Sequence, residues 1–290
     1  MGNLLSRWHA ALAEQSPVAV ATVIEGPENS LGGKLLVTPD DHEGSAGNDD
    51  LDRAIVEAAR GLLEGGKTET RHFGPRGQRR MEDVAVFVQS FAPPPKMYVF
   101  GAIDFASAVA RIGKFLGYRV IVCDARAVFA TRERFPSADE VIVAWPDEFL
   151  KTAEVDHRSV ICVLTHDPKF DVPVLKAALE TKAGYIGAMG SRRTHNNRTA
   201  RLKEEGVSDE QLGRVSSPVG LDIGSRTPEE TAVAVAAEII ASRTGHTGGR
   251  LAERSGPIHA PAPDVADSPD TDDAKRDGRR EATGAARDAR

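Results

Sequence analysis

Residues 97–124 read MYVFGAIDFASAVARIGKFLGYRVIVCD, and their pattern decides the fold. An apolar run ends on Gly101, apolar residues then recur at helical spacing, and a second apolar run follows Gly117 and ends on Asp124. The spacing predicts a strand over Met97–Phe100, a helix over Phe105–Leu116 and a strand over Arg119–Cys123. Two buried strands joined by a helix must run parallel, because a tight turn cannot return the chain to the same end of a sheet. The alternation continues downstream. Strands are predicted at Glu140–Val143, Val160–Leu164 and Gly184–Ala188. Helices are predicted at Asp147–Thr152, Val172–Leu179, Arg193–Glu204 and Glu229–Ser242. The expected fold class is α/β, a Rossmann-like parallel sheet covered by helices on both faces.

Upstream the rhythm differs. A short amphipathic helix over Met1–Gln15 precedes strands at Val18–Ile24 and Lys34–Thr38. A helix over Leu51–Leu63 stops at Gly65-Gly66, and strands at Thr70–Phe73 and Val84–Phe91 follow. This predicts a smaller α+β domain over residues 1–92. The prolines at 93–95 exclude a helix or a central strand and make 93–96 a linker to the Rossmann-like domain at 97–243. Residues 244–290 hold almost no large apolar side chains and are expected to be a disordered tail.

Across 290 residues the formal net charge is −6, which argues against general nucleic-acid binding. The two cysteines, Cys123 and Cys162, lie in apolar runs and make neither a disulfide framework nor a zinc site. With no apolar run of membrane-spanning length and no signal pattern at the start, the expected location is the cytoplasm, away from membranes.

In open parallel sheets ligands bind at the carboxyl ends of the strands, so the polar segments there are the candidate site. The turn Gly101-Ala-Ile-Asp104 departs from a dinucleotide fingerprint. Ile103 takes the place of its second glycine, and Asp104 sets a negative charge at the helix start. Asp124, followed by Arg126, either holds a ribose hydroxyl or caps a loop. Thr165-His166-Asp167 either touches a ligand, with His166 as proton donor or metal ligand, or caps the helix expected to begin near Asp171. Gly190-Ser191-Arg192-Arg193 combines free backbone N–H groups, a helix dipole and two guanidinium forks, and is read as an anion site against the alternative of a solvated basic face. The loop carrying Gly220 and Asp222 forms either a ligand wall or a tight turn. Beyond it Thr227-Pro228-Glu229-Glu230 spells a capping box. No nucleophile–base–orienter set emerges, so a catalytic role is not expected.

Together these segments resemble the XdhC/CoxI family, the xanthine dehydrogenase accessory proteins. The resemblance is carried by VFGAIDFA (99–106), GYRVIVCDAR (117–126), VLTHDPKFDVPVLKAAL (163–179), GYIGAMGSRR (184–193) and SPVGLDIGSRTPEETAVAVAAEI (217–239). Residues 17–91 resemble the family's N-terminal module. The resemblance implies a maturation factor for molybdenum hydroxylases such as xanthine or carbon monoxide dehydrogenase. Such a protein binds molybdenum cofactor transiently, as molybdopterin or its dinucleotide form, and tends to form a homodimer. It protects the cofactor while a cysteine desulfurase supplies the sulfido ligand, then passes it to the apo-molybdenum hydroxylase. On this reading the phosphate falls to Gly190–Arg193. The other reading open to a Rossmann-like chain is an NAD(P)-binding oxidoreductase. The family's usual G-G-C-V-E segment is replaced by Gly44-Ser-Ala-Gly-Asn-Asp-Asp-Leu51, without a cysteine, and its Gly-His pair by Ile103-Asp104.

Overall fold

The fold follows from a computed structural model that describes residues 2–78, 81–165 and 167–253. In the N-terminal region α1 (Gly2–Ala13) leads into β1 (Val18–Glu25), β2 (Lys34–Val37) and β3 (His42–Ser45). Then come α2 (Asp49–Glu64), β4 (Glu69–Phe73) and β5 (Val84–Phe91). The five strands form an antiparallel sheet in the order β3-β2-β1-β5-β4. Helix α2 is capped by the Asn48 side chain and packs Leu51, Ile55, Ala59 and Leu62 on the apolar face of that sheet. Strand β3 was not foreseen, because His-Glu-Gly-Ser has no apolar alternation. Its pairing with β2 comes from position at the sheet edge, and it remains largely exposed.

The Rossmann-like region consists of β6 (Lys96–Phe100), α3 (Asp104–Phe115), β7 (Arg119–Asp124), β8 (Glu140–Val143), α4 (Pro146–Thr152) and β9 (Val160–Val163). It continues with α5 (Pro168–Leu179), β10 (Tyr185–Ala188), α6 (Arg192–Glu204), α7 (Asp209–Leu212), β11 (Val215–Ser216) and α8 (Pro228–Thr244). All neighbours in this sheet pair in parallel, in the order β11-β10-β9-β6-β7-β8. Period-two alternation sends Met97 and Val99 to a core shared with α3 and α8, and Tyr98 and Phe100 to one shared with α4 and α5. The order reverses between β6 and β9, so their carboxyl ends form the switch point where such sheets bind ligands.

Several expected boundaries move. The strand after the prolines starts at Lys96, and the helix expected near Asp171 starts at Pro168, three residues earlier. Neither α7 nor β11 was foreseen; both are too short to leave a periodic pattern. The tail was expected from residue 244, but Thr244 closes α8, Gly245 ends it at φ 69°, and Leu251–Glu253 form a 3₁₀ turn. That turn lies outside the compact unit that ends at Gly248 and holds both sheets. The rest of the expected tail lies outside the described residues.

Gly101 is the position where the switch point depends on glycine. It sits at φ 104°, and a Cβ there would lie 2.7 Å from Thr165 Cγ2 and 3.0 Å from the Thr165 nitrogen. Gly101→Ala is expected to cost about 2–4 kcal/mol, combining an unfavourable backbone region with overpacking. Gly117→Ala, at φ 84° with nothing near its Cβ, should lose only about 1–2 kcal/mol. Urea unfolding midpoints check the pair, and equal losses would contradict the close-approach argument.

Candidate functional site

At the carboxyl ends of β9 and β10 a charged pair is sealed into the protein. The Arg198 guanidinium meets the Asp171 carboxylate at 3.1 Å, and their side chains are only 5% and 3% exposed. Three neighbouring residues join them. Thr165 Oγ1 donates to Asp171, while Arg198 donates to the Met189 carbonyl at 3.1 Å and to Ser217 Oγ at 2.8 Å. One network therefore ties the ends of β9 and β10 to α5, α6 and the loop after β11. A buried charge this well partnered holds geometry rather than adding much net stability.

A cleft of about 230 Å³ opens above this pair, between α5 and α6. Arg193, Asn197 and Arg201 line it at intervals of four residues, which places them on one helix face. Among the described residues neither the Arg193 nor the Arg201 guanidinium makes a hydrogen bond or ion pair. Ser191 caps α6 by accepting the Thr194 N–H at 3.2 Å. Gly190, at φ 147°, would bring a Cβ within 3.0 Å of Thr194, so glycine keeps the incoming chain close to the helix. The cleft thus presents two guanidiniums, from the first and last turns of α6, and one amide, donors of the kind that suit an anion such as phosphate.

The residues proposed from the sequence divide accordingly. Arg193 lines the cleft, Thr165 bonds the buried pair beneath it, and Gly190 and Ser191 shape and cap the start of α6. Arg192 is exposed and is not among the residues lining the cleft, so of the expected arginine pair only Arg193 lines it, together with Arg201. Asp167 is the α5 cap, accepting the Lys169 N–H at 3.0 Å. His166 lies outside the described residues. Gly220 packs against Ala234 and donates its N–H to Glu238 at 2.7 Å, while Asp222 beside it is exposed. Asp104, 87% exposed, pairs with Arg134 at 3.2 Å beside a separate cleft that Arg111 and Glu229 also line. The Thr227–Glu230 capping box forms in full.

Asp124 belongs to the protein's own framework. Its Oδ2 accepts the Ala102 N–H at 2.7 Å and an Arg126 N–H at 2.7 Å; its Oδ1 accepts two more from Arg126. The ribose-holding reading thus meets a carboxylate whose lone pairs already brace the turn after β6. Burial opposes its charge, but the hydrogen bonds from Arg126 and Ala102 outweigh burial and hold the carboxyl below its ordinary value. A depressed native pKa stabilises the fold above the ordinary carboxylate range and loses that contribution as pH falls through the native value. The stability gap between wild type and Asp124→Asn should therefore be full at pH 7 and shrink below about pH 4, measured by urea unfolding across that range. A gap independent of pH would contradict the brace.

Missed from the sequence were Asp171, Asn197, Arg198 and Arg201. The four-residue spacing of Arg193, Asn197 and Arg201 was the available signal. Burial also pushes the Cys123 and Cys162 thiols up to about 12, so both remain protonated near neutrality.

Comparison with known proteins closes the assignment. Residues 97–239 match the family model described as the XdhC Rossmann domain, and residues 11–74 match that of the XdhC and CoxI family. The chain belongs to the XdhC/CoxI family. Among curated XdhC/CoxI relatives, one from Bacillus subtilis (strain 168) is named as a probable xanthine dehydrogenase subunit. It is 32% identical over 192 residues, covering 61% of this chain and 56% of the relative. The molybdenum cofactor insertion chaperone PaoD of Escherichia coli (strain K12) is 30% identical over 157 residues, covering 54% of this chain and 43% of PaoD. The chain spans about half the length of the curated relatives it matches. A crystal structure named as a xanthine dehydrogenase from Bacillus halodurans shares the fold, with a TM-score of 0.51 at 18% identity, covering 87% of this chain and 98% of that one. Among the described residues no helix is long and apolar enough to cross a membrane.

Proposed function

We propose that this XdhC/CoxI protein is a non-catalytic carrier that binds molybdenum cofactor and hands it to an apo-molybdenum hydroxylase of the xanthine or carbon monoxide dehydrogenase type. The observation that carries this reading is the cleft of Arg193, Asn197 and Arg201 above the buried Asp171–Arg198 pair. Molybdopterin carries a terminal phosphate, and the dinucleotide form carries a pyrophosphate between pterin and nucleoside. Guanidiniums from the first and last turns of α6, unpaired among the described residues, match either group in charge. The cargo supplies the redox chemistry in the client enzyme; the chain's own residues bind and orient it. Arg193 and Arg201 grip the anionic end, and Arg198 keeps the α6 rim fixed against α5.

A carrier must also release. The exposed position of Arg193 keeps its contact with phosphate partly hydrated, which favours transient holding over burial. Within the same reading the carrier works as a cytoplasmic homodimer, and a cysteine desulfurase acts on the cofactor while it is held. The names of the relatives support the maturation role, and the donor set of the cleft supports the cofactor's anionic end.

The test is transfer. Chain loaded with molybdenum cofactor, mixed with an apo-hydroxylase, should restore its activity faster than an equal amount of free cofactor. Equal rates would contradict a carrier role.

A further inference from the structure

The cleft at α6 is small. At about 230 Å³ it falls below the ~300–1,000 Å³ typical of sites that enclose a drug-sized molecule, so it suits the phosphate end of a ligand and leaves any ring to be held elsewhere. On the other flank of the first turn of α5 lies a group of aromatic rings and cations. Trp145, at the end of β8, and Phe170, on α5, stand with ring centroids 5.3 Å apart and planes inclined at 41°. The Lys169 ammonium lies 4.8 Å from the Trp145 ring centre, and Arg126 lies 4.6 Å from that of Phe129. Arg126 also reaches Phe170, at 5.9 Å.

Trp145 is 45% exposed and Phe129 36% exposed, so this aromatic surface is not spent on the core. Pro168 and Asp171 border the arginine cleft, while Lys169 and Phe170, between them in the same turn, belong to the ring group. The two surfaces therefore adjoin across one helical turn, at the carboxyl ends of β7, β8 and β9. The larger groove of about 670 Å³ between α5 and α6 offers no such platform, since its lining holds Glu204 and Glu205 and no aromatic ring.

We propose that Trp145 and Phe170, with Lys169 and Arg126, form the stacking subsite for a planar heteroaromatic ring whose phosphate occupies the Arg193–Arg201 cleft. The proposal rests on the carrier reading and deepens it. The ring is that of the pterin itself or of the nucleobase in a dinucleotide form; both join a flat heteroaromatic ring to a phosphate. Aromatic side chains hold such planes by stacking, and Lys169 and Arg126 already rest on the faces of Trp145, Phe129 and Phe170.

The chain has two tryptophans, Trp8 and Trp145, so Trp8→Phe leaves Trp145 as the sole reporter. Dihydroneopterin monophosphate, CMP, GMP and inorganic phosphate are titrated against its fluorescence. At least one ring-bearing phosphate is expected to quench Trp145 saturably, with inorganic phosphate leaving it unchanged. The pterin and nucleotide arms tell the two sources apart. Phe170→Leu, which keeps an apolar side chain in place, should weaken the quenching compound about tenfold. It should leave inorganic phosphate affinity, read by calorimetry, as in wild type.

Purified molybdopterin is titrated in parallel by gel-filtration retention. If it binds while Trp145 emission and the Phe170→Leu affinity stay unchanged, the stacking subsite is wrong and the carrier reading survives. If ring compounds quench but molybdopterin is not retained, the carrier reading fails and the ring site stands. Quenching by an apo-hydroxylase with none by any ring compound would mark the patch as a protein interface and overturn the proposal.

Discussion

Replacing Arg198 with alanine should lower the stability of the folded unit by about 3–5 kcal/mol, because it removes the guanidinium that meets the Asp171 carboxylate in a site only 3% exposed. The same change removes the donors to the Met189 carbonyl and Ser217 Oγ, so four segments lose their common tie. For a unit of this size the loss corresponds to a drop of roughly 10 °C in Tm. The double variant Arg198→Met with Asp171→Leu separates pair from packing. It should recover most of the loss, since an apolar pair of similar volume is often no less stable than a buried ion pair. Thermal and urea unfolding of Arg198→Ala and the double variant measure this. A loss under about 1 kcal/mol for Arg198→Ala would mean the pair is not the keystone of the rim.

The second large effect concerns binding. Each charge-assisted hydrogen bond to phosphate contributes about 1.5–3 kcal/mol, and the exposure of Arg193 places it at the lower end of that range. Arg193→Ala with Arg201→Ala should therefore weaken cofactor affinity about 100-fold while Tm stays within about 2 °C, because among the described residues neither guanidinium pairs with another group. Arg192→Ala is the informative control. Its side chain is outside the lining of the cleft, and its loss should change affinity by less than about threefold, as expected of a surface charge. Calorimetric titration with molybdopterin reads all three variants. Equal losses for Arg192 and Arg193 would restore the simpler picture of a paired-arginine receptor.

The parallel domain was readable because each of its long strands is an apolar run closed by a glycine, a proline or a polar residue, and that pattern has few alternative folds. Strand β3 was not readable, because its partner rather than its own residues puts it in the sheet. The rim was half legible. Glycine, serine and arginine at 190–193 mark a helix start that favours anions, and Arg193 does reach the cleft. The roles of Arg198 and Asp171 depend on burial, which one sequence does not display. A buried arginine and an exposed one are the same letter in a polar helix, and α6 is polar nearly throughout, with only Arg198 and Leu202 buried. Asp124 shows the converse. Its position at the end of β7 left a ribose contact and a loop cap both open, and the distances place its oxygens between Ala102 and Arg126.

The most direct test is to incubate the purified chain with molybdopterin, pass it through gel filtration, and assay the protein peak for molybdenum and pterin. Wild type should retain about one cofactor per chain, and the Arg193→Ala, Arg201→Ala variant should emerge nearly empty while eluting at the same volume. An empty wild-type peak, or equal loading of the two proteins, would contradict a cofactor carrier that grips its cargo through the α6 rim.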